Sequence, residues 1–137
     1  MATTTILGNT VYFSLAGVNL SDQVTNITIN QQFEELETTA MGATSRVFVK
    51  GLETAQINVD FLNSYVATEV NTTLQNAYGT AVAFIINPNG STTSATNPKY
   101  TGSVLVNNLT PINGAVGDLQ TQSLSLTCVT PITYSET

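Results

Sequence analysis

Residues 53–62, ETAQINVDFL, decide the fold class. Ala55, Ile57, Val59 and Phe61 alternate with Thr54, Gln56, Asn58 and Asp60. Successive side chains of an extended strand point to opposite faces, so this spacing predicts a half-buried antiparallel strand, apolar on one side and polar on the other. Upstream, residues 24–36, VTNITINQQFEEL, repeat the rhythm, with Ile27, Ile29 and Phe33 on one face and Thr28, Asn30, Gln32 and Glu34 on the other. The stretch LETTAMGATSRVFVKGL, residues 36–52, joins the two through a Thr/Gly-rich arm at about 37–46, after which RVFVKG re-enters the sheet. Gly42 permits a bend there. Arg46 and Lys50 are two of the chain's three basic residues, an unusual concentration for a connecting arm.

Working outward, residues 10–16, TVYFSLA, predict a short strand that Gly17 and NLSD then turn. Residues 65–78 break the period of two. Val66, Val70, Leu74 and Ala77 with Tyr78 fall at helical spacing and Gly79 follows as a stop. The β-branched content of this helix makes it intrinsically weak, so packing on a sheet has to hold it. AVAFII predicts a more fully buried strand, and NPNGSTTSATNP (87–98) an exposed loop. KYTGSVLVNN and LQTQSLSLTCVT supply the last strands, with a turn-rich LTPINGAVGD between them whose expected reversal is Asn113-Gly114. The sum is mainly β: one domain, residues 1–137, an antiparallel sandwich or barrel of about seven strands with a single flanking α-helix. There is no internal repeat and no linker.

Composition narrows the function. Apolar residues make up 42% of the 137, enough for a core, but charged residues only 9%, against roughly 25% in ordinary soluble proteins. Thr, Asn, Gln and Ser fill the polar positions. Such surface costs less to desolvate than charge, which suits a protein covered by neighbours. The net charge of −6 argues against ordinary nucleic-acid binding and against an anionic membrane surface, both of which call for Lys and Arg. Cys128 is alone, which rules out an intrachain disulfide, and its apolar strand context reads as a small core residue. MATTTILGNT has no basic region or long apolar stretch, so no signal peptide is expected, and no segment suffices to span a bilayer. Synthesis in a cytoplasm follows.

Candidate chemistry is sparse. The sequence contains no histidine, which removes Ser-His-Asp, Cys-His and His-based metal sites. A carboxylate pair remains: Glu34, Glu35 and Glu37 cluster, and Asp60 could lie across a hairpin from them. The plainer reading is a solvated strand end. Neither GNTVYFSLAG nor GATSRVFVKG has the spacing of a phosphate loop. Sequons at Asn19, Asn26, Asn71, Asn89 and Asn108 read as chance in an Asn/Thr-rich chain. Asp22 and Asp118 have no calcium-loop spacing. No cofactor and no metal is expected, and the chain does not read as an enzyme.

The order of motifs then resembles a known family. GVNLSDQVTNITI leading into LETTAMGATSRVFVKGLETAQINVDF is similar to the front half of long-tailed phage tail tube proteins, and NGAVGDLQTQSLSLTCVTPI is similar to their closing strand. The likeness spans most of the chain. Met41 stands where an aromatic is usual, Phe48 where tyrosine is frequent, and TPITY replaces a C-terminal glycine.

The resemblance implies subunits that form six-membered rings, stacked into a hollow tube along which DNA leaves the capsid, with the sheets of six neighbours joined into one barrel. Type VI secretion tube proteins are similar in architecture. It implies a virion location, other tail proteins at the tube ends, no membrane insertion, and DNA passing without specific binding. The arm, with Glu37, Thr38, Thr39, Met41, Gly42, Arg46 and Lys50, would pack on the next ring, where Arg46 or Lys50 could meet an acidic side chain. The polar strand faces, Thr28, Asn30, Gln32, Gln56, Asn58, Asp60, Thr121 and Ser123, would line the channel. Six copies at −6 each give −36 per ring, a field that repels DNA. Two alternatives stay open: a tail-terminator or secretion-tube relative, and a carbohydrate-binding or adhesive module using Tyr12, Tyr65, Tyr78, Tyr100 and Tyr134.

Overall fold

Strand pairing along the alternating segments builds one antiparallel sheet. The computed structural model describes residues 10–137 apart from Thr68 and Ser91; the expectation of no signal peptide falls largely on residues outside that range. In chain order the elements are β1 (Tyr12–Leu15), β2 (Val18–Asn19), a 3-10 turn (Ser21–Gln23), β3 (Val24–Glu37), β4 (Phe48–Leu62), α1 (Val70–Ala77), β5 (Ala81–Asn87), β6 (Lys99–Leu105), β7 (Thr121–Cys128) and β8 (Thr133–Ser135). The sheet order is β2-β1-β5-β6-β7-β4-β3. β6 is shared: its last residues, Val104 and Leu105, pair with β7, while Lys99–Thr101 pair with β8. The mainly β architecture with a single helix is thus the expected one. The short strands β2 and β8 are additions, and the TPITY tail docks as β8, with Tyr134 edge-on to Tyr100 at 5.4 Å between ring centroids.

The sheet folds over on itself. Phe13 on β1 stacks against Phe61 on β4 at 6.0 Å between centroids, although three strands separate β1 from β4 in the sheet order. Flat, that separation would be roughly 19 Å at the usual inter-strand spacing. The enclosed core takes Ile57, Val59 and Phe61 from β4, Leu124 and Leu126 from β7, Phe84 and Ile86 from β5, and Phe13 and Leu15 from β1. Ala55, Ile57, Val59 and Phe61 are buried while Thr54, Gln56 and Asn58 are exposed, as the alternation requires. Gln122 is the polar residue on the inner face of β7. It is fully buried and satisfied, its Oε1 accepting from the Thr110 N–H at 3.2 Å.

The helix is shorter than its spacing predicts. It begins at Val70 rather than 65 and buries Val70, Thr73, Leu74 and Ala77, a single stripe. Residues 63–66 are instead engaged with the loop before β7: the Asn63 amide and the Tyr65 hydroxyl both donate to the Pro111 carbonyl, at 2.8 and 2.6 Å. These tertiary hydrogen bonds outweigh a helical propensity that the β-branched sequence keeps low. Among the described residues no helix is long and apolar enough to cross a membrane.

Three local expectations change. β5 is not buried throughout: Phe84 and Ile86 are buried but Ala81 and Ala83 are exposed, because only one face meets the core. The reversal before β7 sits at Val116–Gly117, where Gly117 has φ +88° and Asp118 N–H bonds the Ala115 carbonyl at 3.0 Å, not at Asn113-Gly114. Asn113 instead accepts from Thr121 N–H at 3.1 Å. The 87–98 loop is organised around a buried side chain, Asn97, whose amide donates to the carbonyls of Asn89 and Thr92 at 2.7 and 2.6 Å.

Candidate assembly surfaces

β4 pairs with β7 only from Gln56 to Leu62; from Phe48 to Ala55 its partner is β3 alone. The β3–β4 hairpin therefore leaves the body as a two-stranded ribbon about 24 Å long at the usual strand rise. A register shift between the Phe33–Glu53 and Glu35–Lys50 pairs places an extra residue on the β4 side, around Gly51 and Leu52. Such a bulge increases local twist and turns the ribbon away. Beyond the core none of the described residues offers a surface to pack on. Phe33, grouped by its spacing with Ile27 and Ile29, is 44% exposed, and Leu36, Val47, Phe48, Val49 and Leu52 are exposed too. Apolar side chains stand bare on both faces of the ribbon.

The loop at its end, residues 38–47, is tied at the base. Thr38 N–H donates to the Val47 carbonyl and Val47 N–H to the Thr39 hydroxyl, both at 2.8 Å. Ala43 N–H closes a turn on the Ala40 carbonyl at 3.2 Å, and Gly42 takes φ +91°, a left-handed value that a Cβ disfavours. Met41 at the tip is fully exposed, 104%. Arg46 pairs with Glu37 of its own chain at 3.4 Å. With the two side chains 79% and 44% exposed, water screens that pair to little net stability. Lys50 is on β4 rather than in the loop, with its ammonium 4.8 Å from the centre of the Phe33 ring.

The expected polar face is assembled. Register sets Thr28 beside Asn58 and Ser125, Asn30 beside Gln56 and Thr127, and Asn26 beside Asp60 and Ser123. Gln32 sits opposite Thr54, and Thr121 opposite Leu62, at the two ends. All eight residues singled out from the sequence share this face, three strands wide, on the opposite side of the sheet from the core. Asn26, Thr54, Ser125 and Thr127 belong to it as well; the alternation of TQSLSLTC already carried the last two. Asp60 is its one charged member where the face is three strands wide; Glu34, next along β3 after Gln32, continues it onto the ribbon.

β3 ends the sheet, so its outer edge is unpaired among the described residues. From Val24 to Phe33 that edge carries no charge and no proline, the devices by which solvent-facing edges avoid association.

The carboxylate pair is not formed. Glu35 pairs opposite Lys50 and Glu37 opposite Phe48, whereas Asp60 lies ten residues further along β4, against Asn26. That is a separation of roughly 33 Å. Among the described residues no three His, Cys, Asp or Glu side chains group to hold a metal. The tyrosines are dispersed over β1, the β4–α1 connection, the end of α1, β6 and β8, and only Tyr100 and Tyr134 touch. Cys128 is half-buried at the end of β7, and burial, with a smaller contribution from Glu53, pushes its thiol pKa up.

No protein-family model matches the sequence, and no curated protein sequence matches it. Solved structures do match the fold. A chain of the hybrid solid-state NMR and cryo-EM structure of the SPP1 tail tube superposes with TM-score 0.77 at 12% identity, over 97% of this chain and 80% of that one. A chain of the virion of the native gene transfer agent particle gives 0.76 at 12% identity, over 96% of this chain and 99% of that one. A chain from the tail of the empty gene transfer agent particle, refined helically with C6 symmetry, gives 0.62 at 13% identity, over 82% of each chain. Such identities establish a common fold, and the fold of this chain is the one found in the SPP1 tail tube and the gene transfer agent tail.

Proposed function

We propose that this chain is a structural virion protein, a subunit that self-assembles into hexameric rings stacked into the hollow tail tube through which phage DNA is delivered. The observation that carries the reading is the β3–β4 ribbon: an ordered hairpin outside the body of the domain, apolar on both faces and uncovered by the described residues of its own chain. A lone two-stranded ribbon is marginal in water, and exposed apolar surface on that scale marks an interaction site. A shared fold alone would not assign a function. Here it adds the type of assembly, since the similar chains come from a tail tube and from a tail of C6 symmetry.

In this reading the arm, Glu37 to Arg46 with Lys50 at its root, packs on the neighbouring ring, and the uncharged edge of β3 joins the sheet of the next subunit within a ring. The face bearing Thr28, Asn30, Gln32, Gln56, Asn58, Asp60, Thr121 and Ser123 lines the bore. Amides and hydroxyls with the Asp60 carboxylate, and Glu34 at the margin, give phosphate no cation to rest on, and −36 per ring of six copies at −6 repels a polyanion. Other tail proteins cap the tube ends. The subunits are made in the host cytoplasm and end in the virion tail.

Electron microscopy of the purified protein tests this. Rings or tubes with a sixfold wall and a central hole are the expected result. A protein that stays monomeric at high concentration, across salt and pH, would refute it.

A further inference from the structure

We propose that the pole of the subunit opposite the arm, built from the 109–120 loop and Tyr65–Val66, is the seat for the arm tip of a second copy of this chain. This rests on the tube reading and specifies which surfaces meet between rings. The two surfaces lie at opposite ends of β4, the arm beyond the Glu37–Phe48 pair and the seat beyond Leu62–Thr121. The 15 residues of β4 separate them, roughly 46 Å at the usual strand rise.

Both ends expose apolar side chains on braced backbone. In the seat Val116 is fully exposed, 107%, and Ile112, Leu119, Tyr65 and Val66 are largely so. Backbone and side-chain hydrogen bonds fix that loop: Asn63 N–H to the Gln120 carbonyl at 3.0 Å, Thr121 N–H to Asn113 at 3.1 Å, and Tyr65 to Pro111 at 2.6 Å. A loop held this firmly with its apolar residues outward has the form of a preformed docking surface.

Charge selects the partner. All three cations of the chain are Arg46, Lys50 and Lys99, so the seat has none. It carries Asp118, with Asp60 close by on β4 and Asp22 just before β3, whose first residue, Val24, pairs with Phe61. The arm loop, residues 38–47, carries one charge, Arg46. The Glu34 and Glu35 carboxylates stand behind it on the stem of the ribbon, and Glu37 holds Arg46 in a water-exposed pair at 3.4 Å that a second carboxylate can join or replace. An apolar tip whose one charged group is a guanidinium and an apolar seat whose charged groups are carboxylates are complementary, whereas seat on seat sets carboxylate against carboxylate and tip on tip offers no carboxylate beyond those of the stems. Because the two surfaces differ and lie at opposite ends of the subunit, the contact is head to tail and can repeat from ring to ring along a stack.

Disulfide trapping tests the pairing. In a Cys128→Ser background, Met41→Cys and Val116→Cys are placed in the same chain, and assembled tubes are oxidised. The expected product on a denaturing gel is a ladder of two, three and more chain masses that reductant collapses, with neither single cysteine giving it. Separately, Val116→Asp with Leu119→Asp should retain rings but lose long tubes. Tubes without the ladder, or tubes of unchanged length in the aspartate variant, overturn the seat while leaving stacked rings standing. A wild-type chain that forms neither rings nor tubes overturns the tube reading and the seat with it.

Discussion

The two halves of β4 share one backbone conformation and opposite surroundings. From Ala55 to Phe61 every second side chain enters the core, and β3 and β7 flank the strand for most of that length. From Phe48 to Glu53 the same strand has one neighbour, and its apolar residues meet solvent on both faces. Hydrophobic side chains in the first half stabilise the monomer. Those in the second do so only weakly, since no described residue of the chain covers them, and in the proposed tube a neighbouring subunit does. In the proposed tube one strand serves folding at one end and association at the other, and each function can be damaged without the other.

The largest separation should come from matched aromatic truncations. Phe61→Ala removes a fully buried ring stacked on Phe13 and should lower unfolding free energy by about 3–5 kcal/mol, read by denaturant titration. Phe48→Ala, in the bare half, should change it by about 0.5 kcal/mol or less yet shorten or abolish tubes in micrographs. Equal losses of monomer stability would erase the distinction between the halves. Next, replacing residues 40–45 by Asn-Gly keeps the Thr38–Val47 closure and offers a two-residue hairpin turn. The melting temperature of the monomer should hold while long tubes give way to single rings or free subunits. Unchanged tube length would remove the arm from assembly.

The legible parts of this chain are those where pattern and environment coincide. ETAQINVDFL announced its burial because a core lies on one side of it and nothing on the other. VTNITINQQFEEL reads identically through Phe33, but burial stops before that ring, since β7 no longer runs alongside; periodicity records which face a residue is on, not whether anything covers that face. The start of α1 was hidden for another reason: hydrogen bonds from Asn63 and Tyr65 to Pro111, 48 and 46 residues away, decide it. The reversal at Val116–Gly117 lost out in the reading to the more familiar Asn-Gly pair. The projecting loop and the polar face, by contrast, were visible as composition, a Thr/Gly-rich stretch ending in Arg46 and a run of amides and hydroxyls.

The polar face offers a test on the outer side of the well-paired half. Asn58→Lys places a cation on an exposed position midway between Thr28 and Ser125. Stability should shift by about 0.5 kcal/mol or less, as for other surface changes, and tubes should still form. Six added cations would change a ring from −36 to −30, six copies at −6 becoming six at −5, and would give phosphates a place to bind. Virions carrying the variant should release DNA more slowly, most visibly at low salt. Release kinetics identical to wild type at every ionic strength would place that face away from the bore.

The smallest effect belongs to the ion pair at the arm base. Arg46→Ala removes the 3.4 Å contact with Glu37, but both partners are well hydrated and the Coulomb gain is nearly matched by the loss of side-chain freedom, so monomer stability should move by about 0.5 kcal/mol or less. The same substitution deletes the one charge in the loop. Assembly should therefore become less sensitive to added salt, even though the monomer hardly registers the change. Guanidinium and carboxylate desolvated between two rings interact more strongly than an exposed pair within one chain. A loss of monomer stability larger than any change in assembly would mean that Arg46 acts on its own hairpin, as Phe61 acts on its own core, and that the division along β4 does not extend to its charges.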